Sequence, residues 1–202
     1  LHLCHHNLET IDTDKIDSAK AKHKLLAEVC YAAKEEGETL TTQHGKHQGT
    51  NKDSPSQLCT VLARSFADIG DIVRGRDLFC GNTYESAQRK KLDDKLKEVF
   101  GNIYNELTTS GKNGAEAQEY YKKDDKGTKN YYKLREDWWD ANRETVWEAI
   151  TCDVVSGTYF HATCGSGRDA TRASHQCRCQ KKDNKPNDQV PTYFDYVPQY
   201  LR

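Results

Sequence analysis

With 202 residues, 35% of them apolar and 30% charged, the sequence can build one ordinary domain or two or three small packed units around a thin core. Eleven Tyr and no Met shift that core toward aromatic side chains, which bury area while keeping a polar tip. A formal net charge of −1 excludes binding to nucleic acid through the overall field, so any electrostatic recognition has to come from a local patch.

In chain order, Asp14 and Asp17 are placed to cap a first helix whose apolar face reads Leu25, Leu26, Val29, Cys30 and Ala33, with Gly37 as its stop. Residues 38–55 hold no periodic apolar positions and carry Gly45, Gly49 and Pro55, which predicts a loop. Cys59, Leu62, Ala63, Phe66, Ile69, Gly70 and Val73 then recur at three- and four-residue steps, the signature of one helical face, with Gly75 to end it. A second stripe, Leu92, Leu96, Val99, Phe100, Ile103 and Leu107, opens at Thr83 or Ser86 and closes near Gly111. Residues 111–130 read as a charged connection punctuated by glycine. A third long helix carries Tyr132, Leu134, Trp138, Trp139, Asn142, Val146, Trp147 and Ile150 and ends at Cys152. Three such stripes predict an all-α, antiparallel helical bundle with long loops. Residues 153–190 lose helical periodicity and are rich in Gly, Ser, Lys, Arg and Asp.

Eight cysteines stand at positions 4, 30, 59, 80, 152, 164, 177 and 179. A thin core with this many cysteines predicts disulfides, each worth about 2–4 kcal/mol, and an oxidising extracellular setting. The rival is a reduced protein with structural zinc, but no Cys-x-x-Cys pair is present for it. Cys59 opens one helix and Cys152 follows another; such ends meet in an antiparallel pair, so a Cys59–Cys152 bridge is expected. No apolar run approaches the ~20 residues that span a bilayer. No signal peptide is visible at Leu1, and an aromatic, helix-like segment starts at Pro191 and is cut off at Arg202. An extracellular chain of this kind is expected to be part of a longer protein.

Reactive constellations are sparse. His161, Cys164, His175, Cys177 and Cys179 could be zinc ligands, yet Cys-x-Cys suits one tetrahedral ion poorly, and a cross-linked loop with surface histidines is the simpler expectation. His2, Cys4, His5 and His6 lead to the same conclusion. Glu136 with Asp137, and Glu144 with Glu148, lie beside Arg135 and Arg143 at spacings expected of solvated helical ion pairs rather than of an acid–base cleft. Gly165-Ser166-Gly167 lacks the full nucleophile-turn pattern and its preceding strand. No enzyme, cofactor or metal is therefore expected. Trp138, Trp139 and Trp147 span more than one helical face, so at least two belong to the core rather than to a stacking platform.

One charge feature remains. Arg168, Arg172, Arg178, Lys181, Lys182 and Lys185 stand against Asp169 and Asp183, six basic less two acidic, a local net of +4. A basic loop pinned by disulfides suits a sulfated polysaccharide, and a merely solvated loop is the alternative. Lys122, Lys123, Lys126 and Lys129 are offset by Asp124 and Asp125 and read as plain surface.

Several segments resemble the Duffy-binding-like domain, alpha class, of the variant erythrocyte membrane protein 1 family of malaria parasites. They are Leu58–Ile72 (LCTVLARSFADIGDI) with Val73–Leu78 (VRGRDL), Tyr131–Val154 (YYKLREDWWDANRETVWEAITCDV), Pro191–Arg202 (PTYFDYVPQYLR) and Lys24–Gly37 (KLLAEVCYAAKEEG). The resemblance implies a disulfide-stapled Duffy-binding-like fold in three subdomains: residues 1–55, loop-rich with one helix; 56–153, the helical bundle; and 154–202, the start of a truncated third. It implies pairing of Cys4 with Cys30, of Cys59 with Cys152, and of Cys164 with Cys177 or Cys179, the last cysteine seeking a partner in the hairpin that would follow. Cys80 departs from the family, which usually has an aliphatic residue there.

By the same resemblance the chain is expected to be an adhesin module on the outer face of the infected erythrocyte membrane, within a larger anchored protein. Its partners would be host cell-surface receptors or sulfated glycans, neighbouring adhesin domains and antibodies. Cytoadhesion or rosetting would be the outcome, with no membrane insertion by this segment. The alternative is a structural spacer that displays variable surface without a ligand of its own.

Overall fold

A computed structural model describes residues 21–50, 58–78, 83–109, 114–125, 129–155, 159, 162–165, 167–173, 176–179 and 189–202. Five helices carry most of the described residues: α1 (Ala21–Thr50), α2 (Leu58–Arg74), α3 (Thr83–Thr109), α4 (Gly114–Asp125) and α5 (Tyr132–Ile150). Two short antiparallel strands follow, β1 (Ala162–Cys164) and β2 (Thr171–Arg172), pairing Ala162 with Arg172 and Cys164 with Thr171 across an irregular register. The expected helical fold is present.

The described residues pack as two compact units, one drawn from Cys30–Ile69 and Arg143–Arg202, the other from residues 21–29 and Gly70–Asn142. α1, α2 and α5 each contribute residues to both. This is a division by packing, different in kind from the three consecutive subdomains that the family resemblance implies.

In the unit containing Gly70–Asn142, the predicted stripe of α3 is buried at Leu92, Leu96, Val99, Phe100 and Ile103. Phe100 meets Trp138 edge to face with centroids 6.1 Å apart. Gly70 lets α2 lie directly against Trp139: a Cβ there would come within 2.8 Å of the indole. The end of α2 is a Schellman turn. Gly75 adopts φ +71°, its N–H bonds the Ile72 carbonyl, and the Arg76 N–H reaches the Asp71 carbonyl at 2.8 Å. Gly75 therefore ends this helix as expected.

α4 corrects the expectation of an irregular connection over residues 111–130. The segment GAEAQEYYKKDD is made of good helix formers but has no apolar stripe, so its helicity was hidden from a periodicity test. Tyr121 and Tyr120 tie it to α5, the first by a hydrogen bond to Asp137 and the second beneath Lys133, whose Nζ stands 3.6 Å from the ring centroid.

In the unit containing Cys30–Ile69, α1 runs through Gly37 to Thr50. Gly37 does not stop the helix, and residues 38–50 are not loop. Its role is close packing: a Cβ at Gly37 would lie 2.0 Å from the Ile150 carbonyl oxygen at the end of α5. Immediately before Gly37, the buried Glu36 accepts a 2.7 Å hydrogen bond from Ser65 of α2. Phe66 and Trp147 meet edge to face at 5.2 Å, forming the aromatic centre of this unit. All three tryptophans are core residues, between 0% and 7% exposed.

Candidate binding surface

Two disulfides frame the loop after α5. Cys59 pairs with Cys177 and Cys164 with Cys179, with Cα separations of 5.5 and 5.3 Å. The expected Cys59–Cys152 bridge is not formed. The loop returns Cys177 to the start of α2, where the Trp147 indole N–H holds the Cys177 carbonyl at 3.1 Å. The Cys152 thiol turns instead toward Asp153, at 3.1 Å. Cys30, expected to pair with Cys4, is a free thiol, as is Cys152. Burial first, and then the Glu148 carboxylate, push the Cys30 pKa up to about 11, so this side chain is a protonated, half-buried filler. Cys4 and Cys80 lie outside the described residues.

The frame presents its basic residues unequally. Arg168, in the one-turn helix Gly167–Asp169, and Arg172, in β2, are exposed. Arg178 is committed to the scaffold. Its Nη2 donates to the Glu148 carbonyl at 2.7 Å and its Nε to Thr151 Oγ1 at 2.9 Å, so it satisfies the C-terminal end of α5. Lys181, Lys182 and Lys185 lie outside the described residues. Sequence reasoning treated six cations as equivalent because a charge count cannot tell a free guanidinium from a helix cap.

Beside this loop in the same unit, residues 191–202 form a ledge that sequence reasoning did not single out as a surface. Arg143 is its anchor: Nε and Nη2 each meet a carboxylate oxygen of the buried Asp195 at 2.8 Å, and Nη2 also reaches the Thr192 carbonyl at 2.9 Å. Burial opposes the charge on Arg143, but the hydrogen bonds to Asp195 and its negative charge win and hold the guanidinium pKa above its ordinary value. The guanidinium also stacks near Tyr193 and Tyr196, at 5.6 and 5.1 Å from their centroids. Arg202 fastens the far end to Asp68 at 2.9 Å. What this leaves outward is Tyr193, Tyr196, Tyr200 and Leu201, all exposed. The expectation that Arg143 and Arg135 make solvated ion pairs is corrected. In a helix the i, i+4 spacing is satisfied locally only when no carbonyl or carboxylate from another element competes, and here both arginines are taken by such partners.

The second unit offers two depressions. A groove of about 370 Å³ is lined by Lys22, Leu26, Ile103, Tyr121, Asp137 and Trp138 among others, and a smaller one of about 250 Å³ by Ile72, Gly75, Asp77, Arg89 and Asp93 among others. The second lies beside a structural ion network, since Arg89 pairs with Asp77 at 2.5 Å and Arg135 with Asp93 at 3.0 Å. Burial lowers the Arg135 pKa, partly offset by Asp93. The Asp93 carboxyl is held below the usual range because hydrogen bonds from Lys97 and Arg135, with their charges, outweigh its own burial. Among the described residues no group of three or more His, Cys, Asp or Glu could hold a metal ion, and no helix is long and apolar enough to cross a membrane. His161 and His175 lie outside the described residues.

The sequence comparison assigns this helical scaffold to a family. Residues 1–202 match the family model of the Duffy binding domain. The chain belongs to the Duffy binding domain family. Among solved structures, this Duffy binding domain is similar to the ICAM-1-binding PfEMP1 IT4var13 DBLbeta domain, at 32% identity and a TM-score of 0.67. The match covers 99% of this chain and 39% of that one, so the domain spans about two fifths of the relative's length. No curated protein sequence matches it.

Proposed function

We propose that this Duffy binding domain is an extracellular adhesin module that binds molecules of the host cell surface, as part of a larger protein displayed on infected erythrocytes. The observation that carries this reading is the family match over residues 1–202 together with a solved relative, 32% identical, whose PfEMP1 domain binds ICAM-1. The physical character of the surface agrees. Tyr193 and Tyr196, packed against the partly buried Arg143, lose little side-chain entropy on binding, which makes them good contact residues for a protein receptor. The disulfides at Cys164, Cys177 and Cys179 bracket the stretch that carries Arg168 and Arg172 and limit what has to be ordered there on contact.

A sulfated glycan is the second ligand class, and Arg168 and Arg172 are its described candidates, with Lys181, Lys182 and Lys185 completing the charge in the sequence. Arg178 contributes background potential rather than a free fork, because its donors already bond Thr151 and Glu148. The test is binding of the oxidised domain to erythrocytes, to a panel of host receptors including ICAM-1, and to heparin at low and high salt. Saturable receptor binding supports the adhesin. Heparin retention weakened by R168E/R172E supports the glycan contact, and unchanged retention removes it. No binding to any surface at low salt favours a spacer that displays variable surface to antibodies and holds neighbouring domains apart.

A further inference from the structure

The wider groove of the unit containing Gly70–Asn142 combines an apolar lining with a fixed charge. Four helices wall it: α1 through Leu26, α3 through Leu107, α4 through Tyr121, and α5 through Leu134, Asp137 and Trp138. All of these residues belong to one compact unit. At about 370 Å³ the groove has room for one small molecule, at the lower end of the roughly 300–1,000 Å³ usual for such sites.

Its polar groups are few and unequal. Tyr121 donates its hydroxyl to Asp137, which fixes a half-buried carboxylate in the wall. Burial pushes the Tyr121 pKa up to about 12, so this hydroxyl stays a donor and adds no charge. The Asn142 amide is turned back on its own helix, its Nδ2 donating to the Trp138 carbonyl at 2.6 Å. Lys22 and His23 border the groove from α1, but both are exposed and water solvates their heads. Among the described walls, Asp137 is the charge held inside.

We propose that this groove binds a small organic ammonium with an aryl or alkyl body, its head on Asp137 and its body on Leu26, Leu107 and Trp138. Charge complementarity selects this occupant. A neutral apolar molecule would strip water from the Asp137 oxygens and return no donor. A carboxylate or phosphate head would be set against a like charge in a partly dehydrated wall. An ammonium gives Asp137 a charge-assisted hydrogen bond, and the neighbouring rings of Trp138 and Tyr121 attract the same cation. The body then covers Leu26 and Leu107, both only half-buried in the unliganded domain. This site goes beyond the adhesin reading and does not depend on it, since the tyrosine ledge and the basic loop belong to the other unit.

The test titrates the full oxidised, isotope-labelled chain with phenethylammonium and follows backbone amides by NMR. Phenethyl alcohol and phenylacetate, with similar bodies and neutral or negative heads, are titrated in parallel. Saturable shifts in α3 and α5, with the ammonium bound roughly tenfold more tightly than either control, support the proposal. D137N keeps an oxygen to accept from Tyr121 but loses the charge; it should weaken the ammonium roughly tenfold and leave the alcohol unchanged. A141F changes an exposed lining position, so the fold tolerates it, and it should weaken ammonium and alcohol together by narrowing the groove. Absence of saturable shifts with the ammonium, equal affinity for phenylacetate, or unchanged ammonium affinity in D137N would each overturn it.

Discussion

Arg135 Nε donates a 2.6 Å hydrogen bond to the Val73 carbonyl, and through it a wholly buried guanidinium on α5 closes the C-terminal end of α2. The same side chain reaches the Ile72 carbonyl at 3.1 Å and Asp93 of α3 at 3.0 Å. Three helices of one unit meet on one planar fork, whose donor geometry a lysine cannot reproduce. R135M should destabilise the domain by about 1–3 kcal/mol, because the Val73 carbonyl loses the Arg135 donor, while the Ile72 carbonyl keeps the Gly75 N–H and Asp93 keeps Lys97. R135K should recover only a small part of that. Thermal denaturation of the oxidised domain measures both.

The two α1 glycines should respond with opposite signs. G37A puts a methyl group into the Ile150 carbonyl and forces α1 and α5 apart, at a cost of about 1–3 kcal/mol from overpacking. A Cβ at Gly45 meets nothing within 4 Å, so G45A should stabilise the helix by about 0.5–1 kcal/mol. Denaturant midpoints of the pair separate a packing glycine from a merely permissive one. Equal effects would contradict the structure.

Tyr121 predicts an alkaline limb. Burial first, then the charge and hydrogen bond of Asp137, push its pKa up to about 12 from an ordinary 10.0. A group raised in the folded state contributes stability that is complete below the unfolded value and is lost as the pH climbs through the folded one. Stability should therefore fall between pH 10 and about pH 12, and Y121F should flatten that fall. Unfolding midpoints across this range give the slope.

Cys30 predicts protection from alkylation. With its pKa at about 11 rather than 9.0, its thiolate fraction at pH 8 is roughly 100-fold smaller in the folded domain than in the unfolded chain. Peptide-resolved iodoacetamide labelling should show that ratio in denaturant against buffer. Rapid labelling of folded Cys30 would mean that the helix face around it is open.

Cutting the Arg143–Asp195 clamp should act locally. Asp195 is buried with both oxygens on Arg143, so R143M leaves a buried carboxylate without its cation and should release residues 191–202 before the helices melt. Amide exchange should rise in that segment and stay low in α2 and α5. If exchange in the segment is unchanged, the clamp does not hold the ledge.

The apolar stripes of α2, α3 and α5 were legible in the sequence residue by residue, because a helix with a 3.6-residue period repeats its buried positions at three- and four-residue steps. Their burial from Leu62 to Val73, from Leu92 to Ile103 and from Leu134 to Ile150 follows that pattern. Gly75 was legible for the same reason, since a helix end is a local event. The family resemblance was legible too, because it rests on long continuous segments such as Leu58–Leu78 and Tyr131–Val154 rather than on isolated spacings.

What the tertiary structure alone decided is which elements compete for a given polar or sulfur atom. Gly37 looks like a helix stop until Ile150 lies against it. Arg135, Arg143 and Arg178 look like surface charge until backbone carbonyls, Thr151 and carboxylates from distant segments claim them. Cys59 finds Cys177 rather than Cys152 because the chain path after α5 sets which sulfur arrives. Periodicity records the side a residue turns to its own helix; a partner brought from far along the chain leaves no trace in local spacing, and only packing supplies it.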